Sequence, residues 1–136
     1  SPAQRKNNMS KRTTVTVEQL SLVKRAKSFS HAGRGLWLFV RTTPNAWIHL
    51  AAFALVIGLG LWFHITVIEW ALLILVGSFV LAAEAFNTAI EIDIDLTSPE
   101  QHPYARDTKD VAAGSVLIAA LAAFTIGLLI FGRYIV

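Results

Sequence analysis

The stretch AAEAFNTAIEIDID, residues 82–95, places two glutamates, an asparagine, a threonine and two aspartates at the end of a strongly apolar run. Carboxylates are costly at membrane depth and, where they occur there, mark substrate, ion or proton sites. On a helix turning about 100° per residue, Asn87 falls at about −60° from Glu84, Thr88 at about +40°, Glu91 at about −20° and Asp95 at about +20°. These five polar positions share one side. Asp93 lies far around the wheel and reads as a headgroup-level or solvated acid. Glu84 and Glu91 are ~10 Å apart along the axis and Glu91 and Asp95 ~6 Å, so the stripe starts inside the apolar zone and climbs to a surface.

Lys109 and Asp110 open the next apolar segment at the same level as Glu91 and Asp95. An acid cluster beside a lysine can hold a divalent cation and an anionic phosphate together. Magnesium takes oxygen ligands, often one or two carboxylates plus substrate phosphates. Phosphoryl transfer needs positioning, charge neutralisation and a base for the attacking hydroxyl. No GxxxxGK[ST] loop occurs, and the glycines of HAGRGL lack a strand–loop–helix context, so a nucleotide site would be built differently from the common ones. Two plainer readings compete. The acids, with Asn87 and Thr88, could serve as interhelical hydrogen-bonding groups or form a proton or cation path. Five aligned polar positions ending beside Lys109 favour a reactive or ion-binding site over packing alone.

The elements that must position this stripe are apolar. The chain has 136 residues, 54% hydrophobic and 15% charged, too apolar for an ordinary soluble domain. Apolar segments run over residues 46–63, about 67–92 and about 111–136. At ~1.5 Å per residue, ~20 residues cross a ~30 Å hydrocarbon core, which predicts an all-α membrane protein with three transmembrane helices. The loop between the second and third is expected at about 93–108. Ala82, Ala83, Ala85, Ala112, Ala113, Gly114 and Ser115 are small enough for close helix approach. Three spans enclose little alone, so a homo-oligomer sharing acid clusters between chains is expected.

Charge is distributed unevenly. Nine of the 12 Lys and Arg residues precede residue 42, and every acid except Glu18 lies at or beyond Glu69. The bias predicts a cytoplasmic amino terminus and a cytoplasmic 93–108 loop, with Arg133 near the far surface mildly against the rule. In residues 17–40, Leu20, Val23 and Ala26 recur at helical steps and Leu36, Phe39 and Val40 continue an apolar side. Lys24, Arg25, Lys27 and Arg34 lie opposite, as in an amphipathic helix at an interface rich in anionic lipid headgroups. Thr43-Pro44-Asn45 ends that helix and opens the next. No aromatics interleave an exposed basic face, which argues against nucleic acid as a partner. The absence of cysteine excludes disulfides, thiolate metal sites and thiol nucleophiles. Residues 1–16 are expected to be a disordered tail, with Met9 as the natural start and residues 1–8 a non-native extension; residues 17–136 form the membrane domain.

The same residues resemble the small bacterial membrane lipid kinases, the diacylglycerol and undecaprenol kinases. EAFNTAIEIDID matches the pattern E-x-x-N-[ST]-A-[IL]-E-x-x-[IV]-D at Glu84, Asn87, Thr88, Ala89, Ile90, Glu91, Ile94 and Asp95. His102, Lys109 and Asp110 match a second block, and Ala32, Gly35, Leu36, Asn45 and His49 match upstream elements, so the resemblance covers residue 28 to the end. It implies an amino-terminal surface helix, three transmembrane helices and a homotrimer with active sites between subunits at the cytoplasmic face of the inner membrane. It further implies transfer of the ATP γ-phosphate to a membrane lipid alcohol, assisted by Mg²⁺. By that resemblance Glu84 is the general base, Glu91 a metal ligand and Asn87 a substrate-positioning group. Asp95, His102, Lys109 and Asp110 are then the substrate- and nucleotide-binding residues. Asn45, His49 and His102-Pro103 resemble the broader branch of the family, which favours undecaprenol, with diacylglycerol as the alternative acceptor. Thr43 stands where the family often has a second metal-binding glutamate. A hydroxyl there implies weaker metal binding, help from an acid such as Asp95, or low activity. Outside this class, an ion- or proton-conducting oligomer or a non-catalytic scaffold would use the same buried acids.

Overall fold

The computed structural model describes residues 2–136, with side chains described at 2–5 and 17–136. Four helices make up the regular structure among the described residues: α1 (Pro2–Thr42), α2 (Pro44–Phe63), α3 (Val67–Thr97) and α4 (Pro103–Ile135). The chain divides into two units, Ser1–Leu38 and Phe39–Val136. In the first, the described side chains from Val17 to Leu38 are all exposed. The tail expected over residues 1–16 falls largely on side chains outside those described, and from Pro2 its backbone belongs to α1.

In the second unit, Thr43 interrupts the helix where the sequence predicts. Pro44 disfavours helical backbone at Thr43, which is extended (φ −106°, ψ 103°), and Pro44 then occupies the first turn of α2. Helices α2, α3 and α4 are each long and apolar enough to cross a membrane. The expected loop over 93–108 is corrected to residues 98–102. Hydropathy marks where an apolar run stops, whereas capping sets where a helix stops. Helix α3 continues through its polar turns to Thr97, and α4 starts at Pro103 with His102 as its cap. The His102 Nδ1 accepts the Tyr104 backbone N–H at 3.2 Å.

At the opposite end, His64 closes α2 in the left-handed region (φ 51°). The Ile65 N–H reaches back to the Gly60 carbonyl at 3.2 Å. Thr66 then caps α3 reciprocally: its hydroxyl accepts the Glu69 N–H at 3.3 Å while Glu69 Oε2 accepts the Thr66 N–H at 2.8 Å. The buried core clusters at this turn end, where Ile65, Leu73, Ile130 and Phe131 pack with Phe63, Trp70 and Tyr134. Phe63 lies 6.2 Å from Phe131 and 5.7 Å from Tyr134, centroid to centroid.

Helix α3 packs against both α2 and α4. Ion pairs pin the antiparallel α3–α4 pair at both ends, Glu69 with Arg133 and Asp95 with Lys109. Close approach of α2 and α3 depends on Gly60 and Gly77. A Cβ on Gly60 would meet the Trp70 ring at 2.6 Å, and one on Gly77 would overlap the Phe53 ring. Gly114 faces open space within the single chain, where a Cβ would meet nothing within 4 Å. Ala112, by contrast, is buried.

Candidate functional site

Glu84 is the most deeply buried large side chain of the described residues, with its residue 1% exposed. A buried carboxylate needs a compensating partner, yet no described residue donates a hydrogen bond to it. Its ionic neighbour is His49 on α2, Nε2 to Oε2 at 3.8 Å, beyond hydrogen-bonding range. One turn along α3, Asn87 is buried and its Nδ2 donates to Glu91 Oε1 at 3.1 Å. The amide oxygen of Asn87 is buried without any partner. Such an orphan is rare in a folded protein and leaves an acceptor unused within the single chain.

The side predicted for the stripe is retained. Glu84 and Asn87 are buried, Thr88 is half-buried, and Glu91 and Asp95 are exposed, so the line climbs from interior to surface. Asp93 is exposed, as expected. Thr43, 6% exposed, shares a 2.7 Å hydrogen bond with the Thr88 hydroxyl. The position where an acid would stand is therefore filled by a closed hydroxyl pair joining the start of α2 to α3.

Around the α3–α4 connection, Asp95, Ser98, Glu100, His102, Arg106 and Lys109 line an open cleft of about 590 Å³. Lys109 donates to Asp95 across it. His102 faces the cleft while its Nδ1 caps α4. Asp110 is exposed and does not line this cleft. The structure thus brings Asp95, His102 and Lys109 together, and separately joins Glu84, Asn87 and Glu91 along α3 with His49 beside them.

No group of three His, Asp or Glu residues able to hold a metal forms among the described residues. A protein-only cage is therefore absent there. The orphaned Asn87 oxygen beside the exposed Glu91 carboxylate nevertheless fits the type of site in which one carboxylate and substrate phosphates complete an oxygen shell.

Below Glu84, a groove of about 490 Å³ runs between α2, α3 and α4 from His49 toward Leu59 and Ile135. His49 is the single polar side chain in its lining. A second polar cluster escaped sequence reasoning. Glu69 receives Arg133 and the Tyr134 hydroxyl, the latter at 2.7 Å, in addition to Thr66. The signal for it was Thr66-x-x-Glu69, a capping-box spacing directly ahead of an apolar run. Pairing with Glu69 also accounts for the Arg133 charge at the end where few basic residues are expected.

Three spanning-length helices and a buried, under-bonded acid define a multi-span α-helical membrane protein with a built polar site. A family model described as prokaryotic diacylglycerol kinase matches residues 30–131. The undecaprenol kinase of Bacillus subtilis is 43% identical over 105 residues, covering 77% of this chain and 85% of that protein. A diacylglycerol kinase of Synechocystis is 38% identical over 101 residues, 74% of this chain and 58% of that protein. A diacylglycerol kinase of Helicobacter pylori is 31% identical over 118 residues, 82% and 89% of the respective lengths. No solved structure matches the chain. The chain belongs to the prokaryotic diacylglycerol kinase family and is a lipid kinase of that family.

Proposed function

We propose that this protein phosphorylates undecaprenol, using ATP and Mg²⁺, as a homotrimer in the bacterial cytoplasmic membrane with its amino terminus and active sites on the cytoplasmic side. The observation that supports a lipid alcohol as acceptor is Glu84, buried and without a hydrogen-bond donor among the described residues, beside His49, which lines the polar end of an apolar groove. The preference for undecaprenol over diacylglycerol rests on the 43% identity to the Bacillus subtilis enzyme.

In this reading the lipid hydroxyl reaches Glu84, whose carboxylate accepts its proton as the oxygen attacks the γ-phosphorus. Asn87 offers its free amide oxygen to orient the incoming group. Glu91 would hold the magnesium with nucleotide phosphates, and the ion would neutralise phosphate charge. Lys109, Asp95 and His102 hold the nucleotide at the cleft, and Asp110 contributes from the adjoining exposed turn. A buried base and an exposed phosphate cleft suit a reaction between a hydrocarbon-dissolved acceptor and a water-dissolved donor. Helix α1, with Lys24, Arg25, Lys27 and Arg34 on its polar side, lies against anionic headgroups. Trimer formation covers apolar side chains such as Leu117, Ile118 and Phe124 that the single chain leaves exposed.

The test is a panel of lipid alcohols incubated with the purified protein in lipid, labelled ATP and Mg²⁺. Undecaprenyl phosphate should form faster than phosphatidic acid. A faster yield of phosphatidic acid reverses the acceptor assignment, and no labelled lipid from any acceptor refutes the kinase reading.

A further inference from the structure

We propose that His49 is a positioning residue for Glu84, and that it passes the substrate's proton from Glu84 to solvent between turnovers. The inference rests on Glu84 as the base and adds a step that base needs. When the lipid oxygen bonds to the γ-phosphorus, the P–O bond to the β-phosphate bridge breaks and its electron pair leaves with ADP. The hydroxyl proton goes to Glu84, which becomes a neutral acid in a site almost sealed from water. A second turnover requires that proton to leave.

Among the described residues, His49 is the basic side chain within 4 Å of the Glu84 carboxylate. The Glu84 side chain is 2% exposed, while that of His49, with Nε2 3.8 Å away, is 22% exposed. Across α3, Glu84 is the titratable group that faces His49. On α4 the groove wall is Ala120, Ala123 and Phe124, none of them ionisable, and α2 has no other ionisable side chain. A neutral His49 with a free Nε2 takes the proton from Glu84, leaving carboxylate and imidazolium side by side. His49 is the sixth residue of α2, ~7.5 Å from its start, and the ring then releases a proton toward that end. The separation is longer than a hydrogen bond, as is common where catalytic contacts tighten only with substrate bound. Because His49 is also the single polar group on the groove, it fixes where an apolar tail ends and the reacting hydroxyl begins.

The experiment compares His49→Ala, His49→Gln and Glu84→Gln in the full chain in lipid, measuring kcat, KM for ATP and the pH profile of each. Both His49 variants should lose about 10- to 100-fold in kcat, keep KM for ATP within about twofold, and lose one limb of the pH profile. Added imidazole should restore His49→Ala and leave His49→Gln slow. Wild-type rate and profile in either variant would overturn the relay, as would full activity in His49→Gln, which would show that shape and hydrogen bonding suffice. In the unmutated protein, ¹⁵N NMR of the ring should show Nε2 without hydrogen at rest. A permanently protonated Nε2 overturns the step even if a variant fails to fold. Inactive Glu84→Gln alongside normal His49 variants rejects the relay alone, whereas active Glu84→Gln rejects the base assignment beneath it.

Discussion

Two glutamates on α3, Glu69 in its first turn and Glu84 just past its midpoint, stand ~22 Å apart at ~1.5 Å per residue and differ in how they are held. Glu69 is saturated: Thr66 N–H, the Tyr134 hydroxyl and Arg133 all meet its carboxylate. Glu84 is more deeply buried, and among the described residues its ionic neighbour is His49, too far to bond. Burial alone therefore does not separate a structural acid from a reactive one. A carboxylate whose lone pairs are all engaged joins elements together. One left under-bonded keeps those lone pairs for a visiting group, and the orphaned Asn87 oxygen one turn away leaves a second acceptor unused within the single chain.

Substitutions at the two acids sharpen this contrast. Glu84→Gln should reduce kcat by about 10²- to 10⁴-fold while circular dichroism and the unfolding temperature stay at or above the wild-type level. A large fall in that temperature would make Glu84 structural. At the cleft, Lys109→Met should raise KM for ATP by about tenfold or more, since a charge-assisted phosphate contact is lost, with little change in unfolding temperature. An unchanged KM would remove Lys109 from the nucleotide site. Glu69→Gln should do the reverse of Glu84→Gln, lowering the unfolding temperature by several degrees with specific activity retained in the folded fraction. Lost activity in well-folded Glu69→Gln would erase the distinction between the two acids. The smallest effect is expected of Thr43→Val, which removes one hydroxyl partner and should cost about 1 kcal/mol in stability. By contrast, Thr43→Glu should let the protein bind Mn²⁺ without nucleotide, read by electron paramagnetic resonance. Failure to do so would mean that Thr43 is not near the metal-binding position.

Much of this was legible in the sequence because it depends on periodicity. Helical spacing placed Glu84, Asn87, Thr88, Glu91 and Asp95 on one side, and the structure's gradient from buried to exposed follows that order. Thr43-Pro44 announced the break before α2 through the steric demand of proline. What stayed hidden depends on pairing across helices, which no single-helix wheel contains. His49 beside Glu84, Thr43 against Thr88 and Arg133 on Glu69 are of this kind. The boundaries of α3 and α4 were missed for a different reason: polar turns continue a helix whose backbone is already nucleated, so α3 runs on to its cap at Ser98 and α4 begins directly after its own cap, His102.

Helix α2 has 20 residues, whereas α3 has 31, although the two start from one shared turn. The length mismatch consequently accumulates at a single end. Measured from Val67, Glu84 stands ~26 Å along α3, just short of a ~30 Å hydrocarbon thickness, and Asp95 stands ~42 Å along it, beyond that limit. The helix works as a depth gauge anchored at the Glu69 clamp, setting one polar group level with the boundary of the oily layer and another clear of it. On the proposed role of Glu84 as base, bilayer thickness should control turnover: lipids with longer chains would submerge Glu84, and shorter ones would bring it to the headgroups.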